Sequence, residues 1–316
     1  MAKAWAVSPA GRPPGGAPAA DSVAWVGCPA WAVPPLEARV ADERRRPPRP
    51  PRGDRTILLG LAYDGAPWSG IAPQVNAPTV GAELLAALSR FDAGITALKI
   101  ASRTDAGVHA RAQRVAFDTD KDVPSRGWVL GLNQHLPPSI VVRWASRVRH
   151  GYNPRFEARG KRYRYLVVGE PVADPLLSGR AWHLYDLDPD RAVAPIEREL
   201  RAALGTHDFT AFASARDPRE HRERTLTRVD VWRTPASSVV AIDIEGDHFL
   251  HNMVRILVGT AVDVARGKRP EGTVAEALAA RDRRRAGITA PPDGLYLEAI
   301  ALTDEGIERW PPAQVR

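Results

Sequence analysis

The sequence predicts an α+β fold: a mixed, largely antiparallel sheet with flanking helices, arranged as two similar halves that meet at a cleft. Three observations predict it. Period-2 runs of apolar residues recur from residue 56 onward. Amphipathic stretches with a helical stripe fall between them. The order strand, helix, strand, strand then occurs twice, loosely, although no residue-level repeat accompanies it.

The elements follow in chain order. "TILLGLAYDG" (56–65) is an apolar run ended by Asp-Gly, a buried strand and turn. "PTVGAELLAALSRF" (78–91) places Val80, Leu84, Leu88 and Phe91 on one stripe with Thr79 in position to cap, which makes a helix. Residues 96–102 and 112–118 both alternate polar with apolar and read as half-buried strands joined through Asp105. The second set begins with a strand at "KRYRYLVVGE" (161–170) and a helix at "APIERELRAALG" (194–205) closed by Gly205. Strands at 225–234 and 238–249 follow, then a helix at "HNMVRILVGTAVDVARG" (251–267) closed by Gly267.

The first 55 residues differ from the rest. They hold four Pro-Pro pairs, much Ala, Gly and Arg, and no sustained period, so they are expected to form a disordered extension or linker. The predicted organisation is this extension, an N-terminal lobe at 56–150, a C-terminal lobe at 151–305 and a tail at 306–316. Nothing in the sequence accounts for Trp5, Trp25 and Trp31 in the extension.

Composition bounds the function. The 316 residues carry a formal net charge of +7, which suits a polyanionic partner. Residues 1–55 hold nine Lys or Arg against five Asp or Glu, so more than half of that excess lies outside the expected folded part. Any nucleic-acid surface there must come from arginines clustered in a groove. No run of about 18 apolar residues predicts a membrane span, and no secretory signal opens the chain, so a soluble cytoplasmic protein is expected. Cys28 is the only cysteine, which excludes a disulfide framework and a thiolate metal site. GxxxxGK[ST], a strand-linked GxGxxG, GxSxG and HExxH are all missing, which removes the basis for P-loop, dinucleotide, α/β-hydrolase and zincin chemistry. His248 and His251 lie three apart beside Glu245, but scattered histidines elsewhere make packing or RNA contact the plainer reading, and no metal is expected.

Three features carry chemistry, each with an ordinary structural alternative. Arg103 and Asp105 are spaced i, i+2, so if the strand extends that far they share a face and can pair; a structural ion pair has the same spacing. A neighbouring cation favours the ionised carboxylate that a nucleophile or base requires. In "GKRYRYLVV", Tyr163 and Tyr165 fall on one face, and Arg162 and Arg164 on the other. Rings beside guanidinium groups can stack a base and neutralise phosphate, or simply form a solvent-edge strand. Arg255 sits among apolar neighbours in "MVRILVG" and needs a carboxylate or phosphate partner unless it is exposed.

Together these residues resemble the TruA family of tRNA pseudouridine synthases. The family signature GRTDAGVHA is matched by Ser102–Ala110 except at its first residue. Further blocks follow in order: "LGLNQHLPPSIVV" (130–142), "NPRFEARGKRYRY" (153–165), "LGTHDFTAFASA" (204–215), "RTLTRVDV" (224–231), "FLHNMVRILVGT" (249–260) and "AGITAPPDGLYLEAI" (286–300). The resemblance spans roughly 56–303.

It implies the two-lobed pseudouridine synthase fold around a basic cleft, a homodimer, tRNA as partner, and neither metal nor organic cofactor. Asp105 matches the catalytic aspartate, acting as nucleophile or base, with Arg103 as its partner in the signature. Arg255 matches an arginine that pairs with the aspartate, Tyr163 the tyrosine that packs against the target base, and Leu295 an apolar residue lining the pocket. Arg162 and Arg164 are carried as candidate RNA contacts. The implied substrate is uridine in the tRNA anticodon stem-loop at positions 38, 39 and 40. The alternatives are a catalytically silent RNA-binding relative, or a synthase acting on another RNA position. Two departures bear on substrate choice: Ser102 replaces the family's glycine, and Trp68–Gln74 replaces a shorter GWQ-like segment.

Overall fold

The computed structural model describes residues 53–311, apart from Arg216, Ala236, Asp304, Ile307 and Glu308. Most of the expected extension, with its three tryptophans and Cys28, and the end of the expected tail lie outside the described residues.

The N-terminal elements are β1 (Arg55–Tyr63), α1 (Val80–Ser89), β2 (Lys99–Ile100), β3 (His109–Thr119), α2 (Ser125–His135) and β4 (Ile140–Val148). The chain continues through α3 (Pro154–Glu157), β5 (Ala158–Gly169), β6 (Trp182–Leu184), α4 (Pro189–Arg201) and β7 (Gly205–Asp208). It closes with β8 (Glu223–Arg233), β9 (Val239–Gly246), α5 (Met253–Ala265), α6 (Thr273–Ala280) and β10 (Leu295–Leu302).

All ten strands join one sheet in the order β4-β1-β3-β10-β5-β9-β8-β7, with β2 on β3 and β6 on β5. The pairings are antiparallel except β3–β10 and β5–β6, so the expected mixed, largely antiparallel sheet is observed. The parallel seam, Tyr296 opposite His109 and Leu297 opposite Ala110, is where the last strand returns to join the N-terminal group to the C-terminal group.

One face of the sheet carries the main core. Leu59, Val115, Phe117, Tyr165, Ile242 and Leu297 from the strands are buried there with Leu84, Trp128, Ile196, Leu257 and Val274 from the helices. A smaller cluster of Leu58, Ala116, Trp144, Val148 and Tyr152 forms on the other face, as the strand alternation requires. Thr79 caps α1 by accepting from Ala82 N, and Val80, Leu84 and Leu88 are buried as the stripe predicts.

Differences from the sequence expectations have local causes. α4 starts five residues earlier, at Pro189, because Asp188 caps it and Pro189 occupies a first-turn position where a missing N–H costs nothing. Its cap is Ala202, and Gly205 opens β7 instead of closing the helix. The strand expected at 96–102 contracts to two residues, so Arg103 and Asp105 lie on a loop. α2 has a proline at its N-cap and no side-chain cap, which left no start signal to read. In the expected tail, Trp310 exchanges two backbone hydrogen bonds with Ala145 of β4.

Candidate active site

Asp105 sits on the loop between β2 and β3, beside the parallel seam. That loop is held from several sides. Thr104 Oγ shares a hydrogen bond of 2.7 Å with the buried Tyr63 hydroxyl, the Ile71 amide donates to Thr104 O at 3.4 Å, and the Gly107 amide donates to Trp68 O at 3.1 Å. Fully buried Gln113 donates to Ser102 O at 2.7 Å and accepts from Ser102 N at 3.4 Å. Gly107 adopts φ +78°, which favours glycine, and a Cβ there would lie 2.8 Å from Pro292 Cγ. The loop therefore fits tightly against the segment leading into β10.

His109 ties three loops together. The Gly65 amide donates to its Nδ1 at 3.0 Å, so the neutral ring carries its proton on Nε2 and donates to Asp293 O at 3.0 Å. Its ring stacks on Tyr296 at 4.6 Å. Burial lowers its pKa, outweighing the opposite pull of nearby Asp64. A folded-state value below the ordinary 6.5 means that the unfolded chain takes the proton first, so stability is full above that pH and falls as pH drops through and below it. Thermal melts from pH 7.5 to 5 are expected to show a steeper loss for the wild type than for His109→Gln; parallel curves would remove this role.

The partners of Asp105 come from the other side of the seam. His251 Nε2 lies 3.4 Å from Asp105 Oδ1, and Arg255 Nη1 4.0 Å from Oδ2. Arg255 is fixed by donating from Nε to Ala290 O at 2.7 Å and from Nη1 to Asn252 Oδ1 at 2.9 Å. Desolvation works against its charge, and Asp105 is the first counter-charge that offsets this. His251 is placed through its backbone: its amide donates to Asp217 Oδ2 at 2.7 Å, and its carbonyl accepts from Ser214 N at 3.0 Å.

Tyr163 on β5 forms a buried surface close to these groups. Its hydroxyl lies 3.2 Å from Ser102 Oγ, and its ring meets Phe249 edge-on at 5.0 Å. Burial pushes the phenol up to about 12, so it serves as a neutral ring and hydrogen-bond partner, not as a base. Ser102 is buried and used in this contact. Leu295 is buried opposite Tyr165, whose hydroxyl donates to Pro291 O at 2.7 Å.

Matches to known proteins show the family. Residues 200–301 match the family model described as tRNA pseudouridine synthase. The tRNA pseudouridine synthase A of Bordetella petrii is 41% identical over 253 residues, covering 79% of this chain and 92% of the relative. That of Herminiimonas arsenicoxydans is 39% identical over 251 residues (78% and 89%). That of Myxococcus xanthus is 39% identical over 258 residues (81% and 95%). The chain belongs to the TruA family.

Within this TruA-family chain the structure brings Asp105, Arg255 and Tyr163 together and leaves three expected residues apart. Arg103 is exposed and forms no ion pair among the described residues, because the strand that would have set it beside Asp105 ends at Ile100. Arg162 and Arg164 lie on the sheet face opposite Tyr163. Arg164 holds Asp243 with two bonds of 2.7 and 2.8 Å. Arg162 lies 3.5 Å from Glu245 and 3.9 Å from Asp243. Their charge is committed to those carboxylates. Tyr63, Gln113 and His109 were missed as site residues, and His251 was singled out only with His248 beside Glu245, with packing or RNA contact as its reading.

Proposed function

We propose that this protein isomerises uridine to pseudouridine in the tRNA anticodon stem-loop, at positions 38, 39 and 40. It acts in the cytoplasm as a homodimer. The observation that carries the chemistry is the Asp105 carboxylate held against His251 and Arg255 beside the buried Tyr163 ring.

The reaction breaks the N1–C1′ bond, turns the uracil and bonds C5 to C1′, so atoms and electrons balance without a redox partner. Asp105 starts it by attacking C1′ or by taking the C2′ proton. Arg255 opposes the carboxylate with a fixed positive charge, and Tyr163 stacks on a uracil extruded from its stem. Leu295 lines the apolar side of the pocket. Arg103, exposed at the loop, is left to meet RNA.

Tritium release from tRNA labelled at uridine C5 tests the reaction, because the C5 hydrogen leaves only when the new bond forms. Release mapped to positions 38–40 is the expected result. RNA binding without release would favour a silent RNA-binding relative, and release from other positions would move the substrate. Light scattering that gives the mass of one chain would remove the homodimer.

A further inference from the structure

Lys161 lies two residues before Tyr163 on β5, and the regular β5–β9 register turns both side chains to the helix-covered face. Two strand residues span about 6.6 Å, which puts the amine within one nucleotide of a base resting on Tyr163. Lys161 is partly exposed, and its amine takes part in no hydrogen bond or ion pair among the described residues. Opposite it on β9 is Gly246, and the room its missing side chain leaves is taken by Leu226 and Phe249: a Cβ there would lie 2.8 Å from Leu226 Cδ2 and 3.3 Å from Phe249 Cζ.

The surroundings are strongly cationic. Arg155, Arg219 and Arg224 all act against the charge of Lys161, and Asp247 is the carboxylate that most offsets them. Asp247 is engaged by the amides of Thr225 and His248. Arg219 is clamped to Asp217 by bonds of 2.8 and 2.6 Å and donates to the backbone O of Phe249 at 2.9 Å, the residue whose ring meets Tyr163. Arg224 is 8% exposed; its Nη1 donates to Glu223 O, while its Nε is buried without a partner. Burial, then the neighbouring arginines, push the Lys161 amine down to about 8. Positive charges crowded in this way raise the energy of the free protein unless an anion joins them.

We propose that Lys161, backed by Arg224 and Arg219, is a binding site for an RNA backbone phosphate next to the uridine that enters over Tyr163. This rests on the synthase reading above. Lysine suits the role as a point charge on a flexible stem, and a phosphodiester supplies the missing anion without needing sequence information.

The test is binding of an anticodon stem-loop RNA to wild type, Lys161→Gln and Lys161→Arg by fluorescence anisotropy over a range of salt concentrations. Lys161→Gln is expected to weaken binding about tenfold and to flatten the slope of log affinity against log salt by roughly 0.7 to 0.9, the share of one phosphate contact. Lys161→Arg should keep most of the affinity. Turnover at saturating tRNA should change less than about threefold in Lys161→Gln, so that the loss appears in KM. The melting temperature of Lys161→Gln should stay level or rise, because like charges are relieved, which excludes misfolding as the cause.

Wild-type affinity and slope in Lys161→Gln would overturn the site. Stabilisation by inorganic phosphate that is lost in Lys161→Gln, with RNA affinity unchanged, would assign the cluster to a free anion and also overturn it. Binding needs no turnover. Lys161-dependent RNA binding by a protein that releases no tritium would thus sink the synthase reading and leave the phosphate site standing.

Discussion

Asp105→Asn is expected to lower kcat by at least about 10³-fold while melting temperature and RNA affinity stay near wild type. The amide matches the carboxylate in size, and Asp105 is about a third exposed, so neither packing nor the loop's hydrogen bonds depend on its charge. Ser102, Thr104 and Gly107 hold that loop instead. What the amide lacks is nucleophilicity toward C1′ and basicity toward the C2′ proton. Single-turnover assays at saturating enzyme separate this chemical loss from any change in binding. Turnover within tenfold of wild type would remove Asp105 from the reaction and with it the proposed mechanism.

Gly259→Ala is expected to cost about 2 kcal/mol of stability and to lower turnover at least tenfold. In an ordinary helix the same change stabilises by up to about 1 kcal/mol. Here α5 packs against the segment before β10, and a Cβ at residue 259 would lie 2.2 Å from the Ile288 carbonyl oxygen. Backbone cannot yield as a flexible side chain can, and overpacking of this kind costs about 1–3 kcal/mol or more. The same segment is tied to α5 by Gly287 N donating to Thr260 Oγ at 2.9 Å and by Arg255 Nε donating to Ala290 O at 2.7 Å. Displacing it loosens the arginine that faces Asp105, so stability and activity should fall together. For a folded part of this size the melting temperature should drop by about 4–8 °C. A rise in melting temperature would show that the helix and the segment do not meet as described.

Much of the fold was readable wherever local chemistry and tertiary role agree. The capped stripe of α1 and the alternations in β3, β5 and β8 are written in residue types whose periods match the surfaces they bury. β10 was not read as a strand, although its residues were matched as a family block. Its half-buried pattern makes sense only between β3 and β5. α2 was hidden by its uncapped start. At the site, Asp105, Tyr163 and Arg255 each had an ordinary structural alternative, and it was the family resemblance of the blocks they lie in that set them apart. Arg162 and Arg164 carried the same kind of signal and went elsewhere, since a strand's alternation says which residues share a face but not what covers it.

By itself the sequence determined the family, through ordered blocks that run most of its length, and named the candidate residues of the proposed site. Only the tertiary structure decided which charges meet. The loop that carries Asp105 and the helix that carries Arg255 and His251 are about 150 residues apart in the chain, and they become neighbours because β10 returns to pair with β3. Ionic and hydrogen-bond partners across such a separation are set by strand order, register and backbone packing, which a one-dimensional pattern does not encode. The same holds for Lys161: Arg219, Arg224 and Asp247 lie far from it in the chain and come near it through the β5–β9–β8 pairing.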